Sequence, residues 1–237
     1  VGSEMCIRDR LEIIKGELLI NTQDKIEIEV AQKLGIEVNP YEIIDGVLTS
    51  SNGNLLLMDE KTGTLTIPDS VVEIGEGAFS NLSGLKTIII PSTVKRIAMN
   101  AFAYNSTLEQ VIMQEREKED GTIEGVEYIG ERAFQECSNL KTVQMANSVK
   151  EIGSLAFYYC TSLQNINIST GIKEVPDYCF CGCKSLTKIE FSEDFKEDVV
   201  IGDSAFLDCI NLETVKLSSK VVSIHRNAFS RCAKLKN

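Results

Sequence analysis

The sequence has little of what most catalytic sites require. It contains one histidine, His225, so a Ser-His-Asp or Cys-His set has only one candidate base. His225 occupies a position that Gly75, Gly130, Gly153 and Gly202 hold in the related segments described below, which favours an exposed turn residue. No glycine-rich phosphate loop is present, and the many carboxylates scatter beside lysines. The sequence therefore predicts no enzyme and no cofactor.

Two further absences limit the possible partners. No stretch reaches the roughly 18 apolar residues that a membrane-spanning helix needs, so we expect no membrane insertion within this chain. The net charge is −11, and an acidic surface disfavours contact with nucleic acid or an anionic membrane.

The dominant feature of the sequence is a repeat built around phenylalanine. Seven Phe residues follow one another at spacings of 23, 32, 23, 23, 26 and 23, so the period is 23 with insertions of nine and three residues. A Leu follows each Phe by six residues, and a β-branched residue precedes each by five. This spacing indicates a stacked repeat protein, and the phenylalanines are Phe79, Phe102, Phe134, Phe157, Phe180, Phe206 and Phe229.

Each repeat divides into three parts. A segment such as Leu85–Pro91 follows the pattern Leu-x-x-Ile/Val-x-apolar, whose end has a period of two and predicts a half-buried strand. A segment such as Val149–Gly153 predicts a shorter extended piece, and Ala-Phe-x-x-Cys predicts a short helical turn that reverses the chain. Because one unit cannot bury its apolar edge alone, we expect an α/β repeat solenoid of about seven units stacked in parallel.

The sequence suggests three divisions. Residues 1–10 look like a translated transposase adapter from a sequencing library, and we exclude them from the fold. Residues 11–42 are predicted to be an N-terminal capping segment, with a helix from Asn21 or Thr22 to about Leu34, although alternating apolar residues there also fit a strand. Residues 43–237 are the solenoid, which we expect to be truncated at its C-terminus because the last repeat is incomplete.

Several turns and insertions are also predicted. Ser51–Asn54 contains Asn-Gly between apolar runs and predicts a hairpin that joins 43–48 to 55–58. Lys61–Gly63 predicts a second turn before the first regular repeat strand. The nine-residue insertion spans Gln114–Glu124, where Asp-Gly predicts a projecting hairpin, and Glu193–Glu197 forms the smaller insertion. Such loops often carry binding in solenoids, but solvated loops without a role are the more common alternative.

Five cysteines lie three residues after a repeat Phe, where the first two repeats place Leu82 and Asn105. A position that accepts Leu, Asn or Cys is a packing position, and free cysteine behaves as a small buried hydrophobe. We therefore expect a ladder of buried thiols rather than disulfides: Cys137, Cys160, Cys183, Cys209 and Cys232. Only Cys181 of the Cys179-x-Cys181-x-Cys183 cluster is unassigned, which argues against a four-ligand zinc site.

The outward residues of the first strand in each repeat form the candidate binding surface, which we name the strand face. Stacking places them on one side of a sheet, apolar at first, then amide-rich and finally charged, and solenoids use such faces for recognition. The strand face comprises Thr87, Ile89, Gln110, Ile112, Thr142, Gln144, Asn165, Asn167, Lys188, Glu190, Thr214 and Lys216. A second candidate surface is formed by Tyr104, Tyr158 and Tyr159 at the turns, and an ordinary solvated surface is the alternative for both.

The repeat resembles the BspA-type leucine-rich repeat, as in Leu140–Val143 followed by Val149–Cys160, and Asp45–Leu48 with Leu65–Pro68 is similar to the opening of such arrays. The resemblance implies a curved leucine-rich horseshoe in a secreted or cell-surface protein. It also implies a non-enzymatic adhesion or protein-binding module, possible partners being a host-matrix protein, another surface protein or a glycan. The alternatives are a structural spacer and an accessory array beside a catalytic domain outside this sequence.

Overall fold

The computed structural model describes residues 11–14, 17–21, 37–39, 43–48, 58–59 and 61–236. This part of the chain contains twenty-two strands, numbered β1 to β22 in chain order, and no helix. In the first sheet, β2 pairs antiparallel with β1 and parallel with β3, and these strands are Leu11–Ile14, Glu17–Asn21 and Glu37–Asn39. The predicted helix lies outside the described residues except for Asn21, which ends β2. The adapter-like residues 1–10 lie outside them too, and the capping role of 11–42 stays a prediction.

Two six-stranded sheets run along the solenoid. One has the order β4-β5-β8-β10-β14-β16 and the other β6-β7-β9-β11-β15-β17. The first contains Ile43–Ile44, Val47–Leu48, Glu73–Ile74, Arg96–Ile97, Tyr128–Ile129 and Glu151–Ile152. The second contains Met58–Asp59, Thr64–Thr66, Thr87–Ile90, Gln110–Met113, Thr142–Gln144 and Asn165–Ile166.

The last repeats form two smaller sheets. One has the order β18-β20-β22, with Glu174–Val175, Val199–Ile201 and Val221–Ile224, and the other pairs β19 with β21, Lys188–Glu190 with Thr214–Lys216. The remaining two strands, β12 at Arg116–Glu117 and β13 at Ile123–Glu124, pair antiparallel within the nine-residue insertion.

Neighbouring repeats pair in parallel and in register. Leu65, Ile88, Val111, Val143 and Ile166 are successive partners along one sheet, and all five are buried. The other six-stranded sheet has an equivalent buried column, which contains Leu48, Ile74, Ile97, Ile129 and Ile152. Because each repeat repeats the apolar pattern in the same register, the buried columns join into one continuous core. The predicted parallel-strand solenoid is confirmed.

The predicted short helical turns are wrong for the described residues. The residues two before and two after each Phe have positive φ, as at Leu155 (60°) and Tyr159 (54°) around Phe157, and this conformation cannot continue a right-handed helix. The Phe157 N–H bonds the Cys179 carbonyl of the next repeat at 2.9 Å, instead of a carbonyl four residues back. The Ala-Phe segments are therefore consecutive turns whose hydrogen bonds partly run between repeats.

The phenylalanines stack along the solenoid as one ladder. Successive ring centroids, from Phe79 to Phe229, lie 5.1 to 5.3 Å apart, and the planes of neighbouring rings differ by at most 12°. All of these rings except that of Phe229 in the last repeat are fully buried. The spacing of 23 residues in the sequence is thus the spacing of one aromatic column in the core.

The cysteine prediction is confirmed for the described thiols. Cys137, Cys160, Cys183 and Cys209 are buried, Cys232 in the last repeat is partly buried, and all five are free. Burial raises the pKa of Cys137 to about 12 and that of Cys232 to about 11, so the thiols are protonated at neutral pH.

The early turns differ partly from the prediction. Residues 51–54 lie outside the described part, but the strands on either side, β5 and β6, belong to different sheets. The predicted pairing of 43–48 with 55–58 is therefore wrong for the described strands. Ile43–Ile44 instead pairs with Val47–Leu48 across Asp45 and Gly46, both at positive φ. The turn at Lys61–Gly63 is confirmed, since it joins β6 to β7.

The two insertions have different structures. The hairpin in Gln114–Glu124 is confirmed: Gly121 has a φ of 78°, and the Glu124 carboxylate pairs with Arg116 and, at 3.2 Å, with Lys95 of the solenoid. The smaller insertion is not simply a solvated loop, because Phe195 within it is buried and its ring centroid lies 6.1 Å from that of Phe191.

Candidate binding face

The structure places every residue of the strand face on the outer side of its strand. Thr87, Ile89 and Ile112 are partly exposed, and the other nine are exposed. The intervening residues, such as Ile88 and Val111, point into the core. This alternation follows from the strand period of two, which sends successive side chains to opposite sides of a sheet.

Hydrogen-bonded register brings seven of these residues into two rows. Thr87, Gln110, Thr142 and Asn165 are successive partners in one row. A parallel row contains Ile89, Ile112 and Gln144, and Asn167 follows the end of β17. The strand face listed from the sequence omitted Thr64 and Thr66, which precede these rows as partners of Thr87 and Ile89. These two residues precede the first repeat Phe, so their spacing from a Phe could not identify them, although the alternation in Leu65–Pro68 could have.

The strand face divides into two sheets after Asn165. Lys188 pairs with Thr214 and Glu190 pairs with Lys216 in the sheet of β19 and β21. Strands β17 and β19 are neighbours, but no ladder hydrogen bonds join them. The structure therefore does not bring all twelve predicted residues into one continuous sheet.

A change in charge accompanies this division. The outward residues from Thr64 to Asn167 are threonine, isoleucine, glutamine and asparagine, and none is charged. In the following sheet, Lys188 Nζ lies 2.8 Å from Glu190 Oε1. The hydrogen bond from Lys188 lowers the pKa of the Glu190 carboxyl. A neutral section and a charged section thus lie side by side.

Two shallow depressions lie on this surface. One, of about 280 Å³, is lined by the neutral side chains, with Gln110, Thr142, Gln144, Asn165 and Asn167 around its rim and Val143 and Ile166 also contributing. The other, of about 470 Å³, lies at the division between the sheets and has Gln164, Asn165, Thr187, Asn211 and Glu213 among its lining residues. Both are open hollows, which suit an extended surface contact better than an enclosed small molecule.

The second candidate surface lies at the turns that contain the phenylalanines, and we name it the turn edge. Tyr104 is 43% exposed, and the rings of the partly buried Tyr158 and Tyr159 have centroids 4.6 Å apart. Tyr178 is 41% exposed on the same edge, and the sequence analysis missed it because it precedes rather than follows its Phe.

The repeat pattern can now be compared with known proteins. A model of the BspA type leucine rich repeat region matches residues 56–122 and 117–236, with six copies. The chain belongs to this family. The predicted resemblance is thereby confirmed, and the family generally provides protein-interaction modules. No protein with a curated functional description matches the chain.

Solved leucine-rich repeat structures from bacteria are similar to the chain. A leucine rich cell surface protein from Faecalibacterium prausnitzii is 33% identical, with 73% of this chain and 52% of that protein covered and a TM-score of 0.49. A T. pallidum leucine-rich repeat protein is 25% identical over 73% of this chain and 86% of its own, with a TM-score of 0.51. The chain thus spans about half the length of the Faecalibacterium protein.

BspA-type leucine-rich repeat proteins are typically non-enzymatic, and nothing in the described residues points to catalysis. His225 is exposed at a turn. Within residues 43–48, 58–59 and 61–236, no three His, Cys, Asp or Glu side chains form a group that could hold a metal ion. The described part of the chain has no helix that is long and apolar enough to span a membrane.

Proposed function

We propose that this BspA-type repeat region is a non-enzymatic recognition module that binds a partner protein through the strand face. The observation that carries the proposal is the row of neutral, outward side chains on the paired strands β7, β9, β11, β15 and β17. These strands are held in register by a continuous core, so the face is rigid before binding. A rigid face loses little conformational entropy on association, which favours affinity.

The composition of this face suits a polar partner surface. Threonine, asparagine and glutamine provide both donors and acceptors, while Ile89 and Ile112 add partly exposed apolar area. An uncharged section on a chain with a net charge of −11 avoids the desolvation of fixed charges when a partner docks. The projecting hairpin at Gln114–Glu124 is a candidate second contact, since β11 leads directly into it.

We further propose that the module belongs to a larger cell-surface or secreted protein and serves adhesion. The support is the family membership together with the description of the Faecalibacterium relative as a cell surface protein, of which this chain covers 52%. The corresponding partners are an extracellular-matrix protein, another surface protein or a glycan.

The test is a binding measurement against purified fibronectin, laminin and collagen, with a neutral glycan array in parallel. In the variant Asn165→Lys/Asn167→Lys, two charges enter the neutral section, and we expect at least about a tenfold loss of affinity for the protein that binds. The matched control is Ser83→Lys/Asn139→Lys, which adds the same charge at exposed turn residues outside the strand face.

Circular dichroism of both variants should equal that of the parent chain, because all four residues are exposed. Equal losses in the two variants, or unchanged affinity in the first, would remove the strand face as the binding surface. Binding only on the glycan array would replace the protein partner by a glycan. No binding on any surface would favour the structural spacer or the accessory array.

A further inference from the structure

The turn edge contains a buried polar group with an unused acceptor. Gln135 is only 8% exposed, and its Nε2 donates to Tyr104 Oη at 2.9 Å and to Glu136 Oε1 at 3.3 Å. Its Oε1 is buried and accepts no hydrogen bond from the described residues. This atom is closed to a ligand from outside, so Gln135 acts on the surface through its amide nitrogen, which links Tyr104 to Glu136.

The groups around Gln135 form one compact surface across adjacent repeats. The Tyr104 N–H bonds the Gln135 carbonyl at 2.7 Å, and the Glu136 N–H bonds the Tyr158 carbonyl at 2.7 Å. Tyr104, Glu136 and Tyr159 each lie two residues after their Phe, so they occupy equivalent positions in three successive repeats. The column is therefore tyrosine, glutamate, tyrosine.

The position of the last ring in this column is set by a glycine. A Cβ atom on Gly182 would lie 2.8 Å from Cδ2 of Tyr159, so the ring packs directly against the glycine backbone. The φ of Gly182 is 73°, which favours glycine there as well. The neighbouring Tyr158 has a raised pKa, chiefly through burial and then through Cys181, Tyr159, Glu136 and Tyr178 nearby.

The chemistry of this surface is complementary to a cation. The Glu136 carboxylate can only accept hydrogen bonds, and tyrosine faces attract cations through their π-systems. Lys184 is a cation close to this edge, and its Nζ lies 5.9 Å from the Tyr159 centroid. That distance is at the outer limit of a cation–π contact.

A glutamate and a tyrosine already bind an arginine of this chain on the sheet that contains β8, β10 and β14. There, the Arg96 guanidinium lies 3.9 Å from the centre of the Tyr128 ring, and its Nε lies 3.5 Å from Glu73 Oε1. Glutamate, arginine and tyrosine are again equivalent residues of three successive repeats. On the turn edge, two tyrosines and a glutamate occupy the corresponding column without an arginine.

We propose that the turn edge, at Tyr104, Gln135, Glu136, Tyr158 and Tyr159, binds an arginine side chain of a partner protein. The guanidinium stacks on a tyrosine ring and donates to the Glu136 carboxylate, which Gln135 links to Tyr104. Arginine fits better than lysine because its planar group stacks on rings and offers five donors in fixed directions. This site is separate from the strand face and does not depend on it.

The test uses the whole chain with three short peptides of equal length. One peptide carries two arginines, the second carries citrulline at both positions, and the third carries lysine. Amide NMR spectra locate the contact, and tyrosine fluorescence follows binding, since the chain has no tryptophan. We expect saturable shifts at residues 104, 135–136 and 158–159, with the arginine peptide binding about tenfold more tightly than the citrulline peptide.

Two variants assign the contacts. Glu136→Gln removes the charge and Gln135→Leu removes the hydrogen bonds that link Tyr104 to Glu136, and each should weaken binding of the arginine peptide by about 3- to 10-fold. The matched control Glu151→Gln removes an exposed carboxylate in β16 and should change nothing. Asn165→Lys/Asn167→Lys should also leave this binding intact, so failure here is distinguishable from failure of the strand face.

Several results would overturn the proposal. They are equal binding of the citrulline peptide, shifts centred elsewhere, and equal losses in Glu136→Gln and Glu151→Gln. Saturable binding of cellotetraose at the same residues, with no response to the arginine peptide, would show a sugar site instead. Because Gln135 is buried, Glu136→Gln provides the decisive comparison if Gln135→Leu does not fold.

Discussion

The Sγ atom of Cys160 lies 3.2 Å from the carbonyl oxygen of Phe134 in the preceding repeat. The same contact occurs at every other described cysteine in this position, at 3.2 to 3.4 Å. The thiol therefore fills a packing position and also satisfies a buried carbonyl. Asn105 occupies this position in an earlier repeat and makes three hydrogen bonds instead of one. It donates to the Phe79 and Phe102 carbonyls and accepts from the Leu82 N–H.

This difference predicts that Asn105→Ala destabilises the chain more than Cys160→Ala. Asn105→Ala leaves the Phe79 carbonyl and the Leu82 N–H without partners and removes one of the two side-chain donors to the Phe102 carbonyl, and we expect a loss of about 3 kcal/mol or more. Cys160→Ala removes one weak donor and a small volume, for about 1–2 kcal/mol. Urea unfolding measures both. The unfolding free energy of Asn105→Cys, which restores one donor, should lie between those of the parent and Asn105→Ala. Equal losses of unfolding free energy in the two alanine variants would contradict this account.

The phenylalanine ladder predicts a large effect for a single truncation. Phe157 is fully buried, and its ring centroid lies 5.3 Å from those of Phe134 and Phe180. We expect Phe157→Ala to lower the unfolding free energy by about 3–5 kcal/mol, through lost burial and the cavity it leaves. Tyr178→Ala, an aromatic 41% exposed, is the control and should cost about 0.5 kcal/mol or less. A loss below about 1 kcal/mol for Phe157→Ala would be incompatible with a packed ladder.

Backbone strain at the turns predicts a stabilising substitution. Glu136 is exposed and has a φ of 56°, a conformation that costs most L-residues about 1–2 kcal/mol. Glu136→Gly relieves this cost but increases the entropy of the unfolded chain, so we expect a net gain of about 0.5–1 kcal/mol. Asn139 is also exposed but is not at positive φ, and Asn139→Gly should destabilise by a similar amount. The comparison is made by thermal and urea unfolding, and a loss of stability in both variants would count against the strain argument.

The buried thiols predict a loss of stability in alkali. Burial raises the pKa of Cys137 to about 12 in the folded chain, whereas an unfolded cysteine has a pKa of about 8.5. The unfolded chain therefore releases this proton first as the pH rises. The resulting stability is complete below about pH 8.5 and decreases above it by about 1.4 kcal/mol per pH unit for each such thiol, until the folded pKa is reached.

Comparison with Cys137→Ala isolates this effect, because the other titrating groups are common to both chains. The difference in unfolding free energy between parent and variant should be constant up to about pH 8.5 and should then shrink as the pH rises. Urea unfolding at several pH values gives this difference. A difference that stays constant up to about pH 10 would show that the thiol is not protected from ionisation.

The sequence by itself determined the repeat, its period, the core positions and the two insertion sites. These follow from Phe, Leu and β-branched residues at constant spacing, since only a regular stack buries all of them together. The alternation within each strand also determined which residues of the strand face point outward. Local sequence patterns were sufficient to predict the structure where a short pattern is compatible with only one backbone geometry.

The tertiary structure alone decided the remaining features. Ala-Phe-x-x-Cys was predicted to be helical. In the structure, backbone N–H groups of these segments donate to carbonyls of the next repeat, and the residues two before and two after each Phe have positive φ. The division of the strand face after Asn165 and the meeting of Tyr104 with Gln135 also depend on contacts between repeats. Such contacts join residues more than twenty positions apart, and the period of the sequence does not specify how their side chains meet.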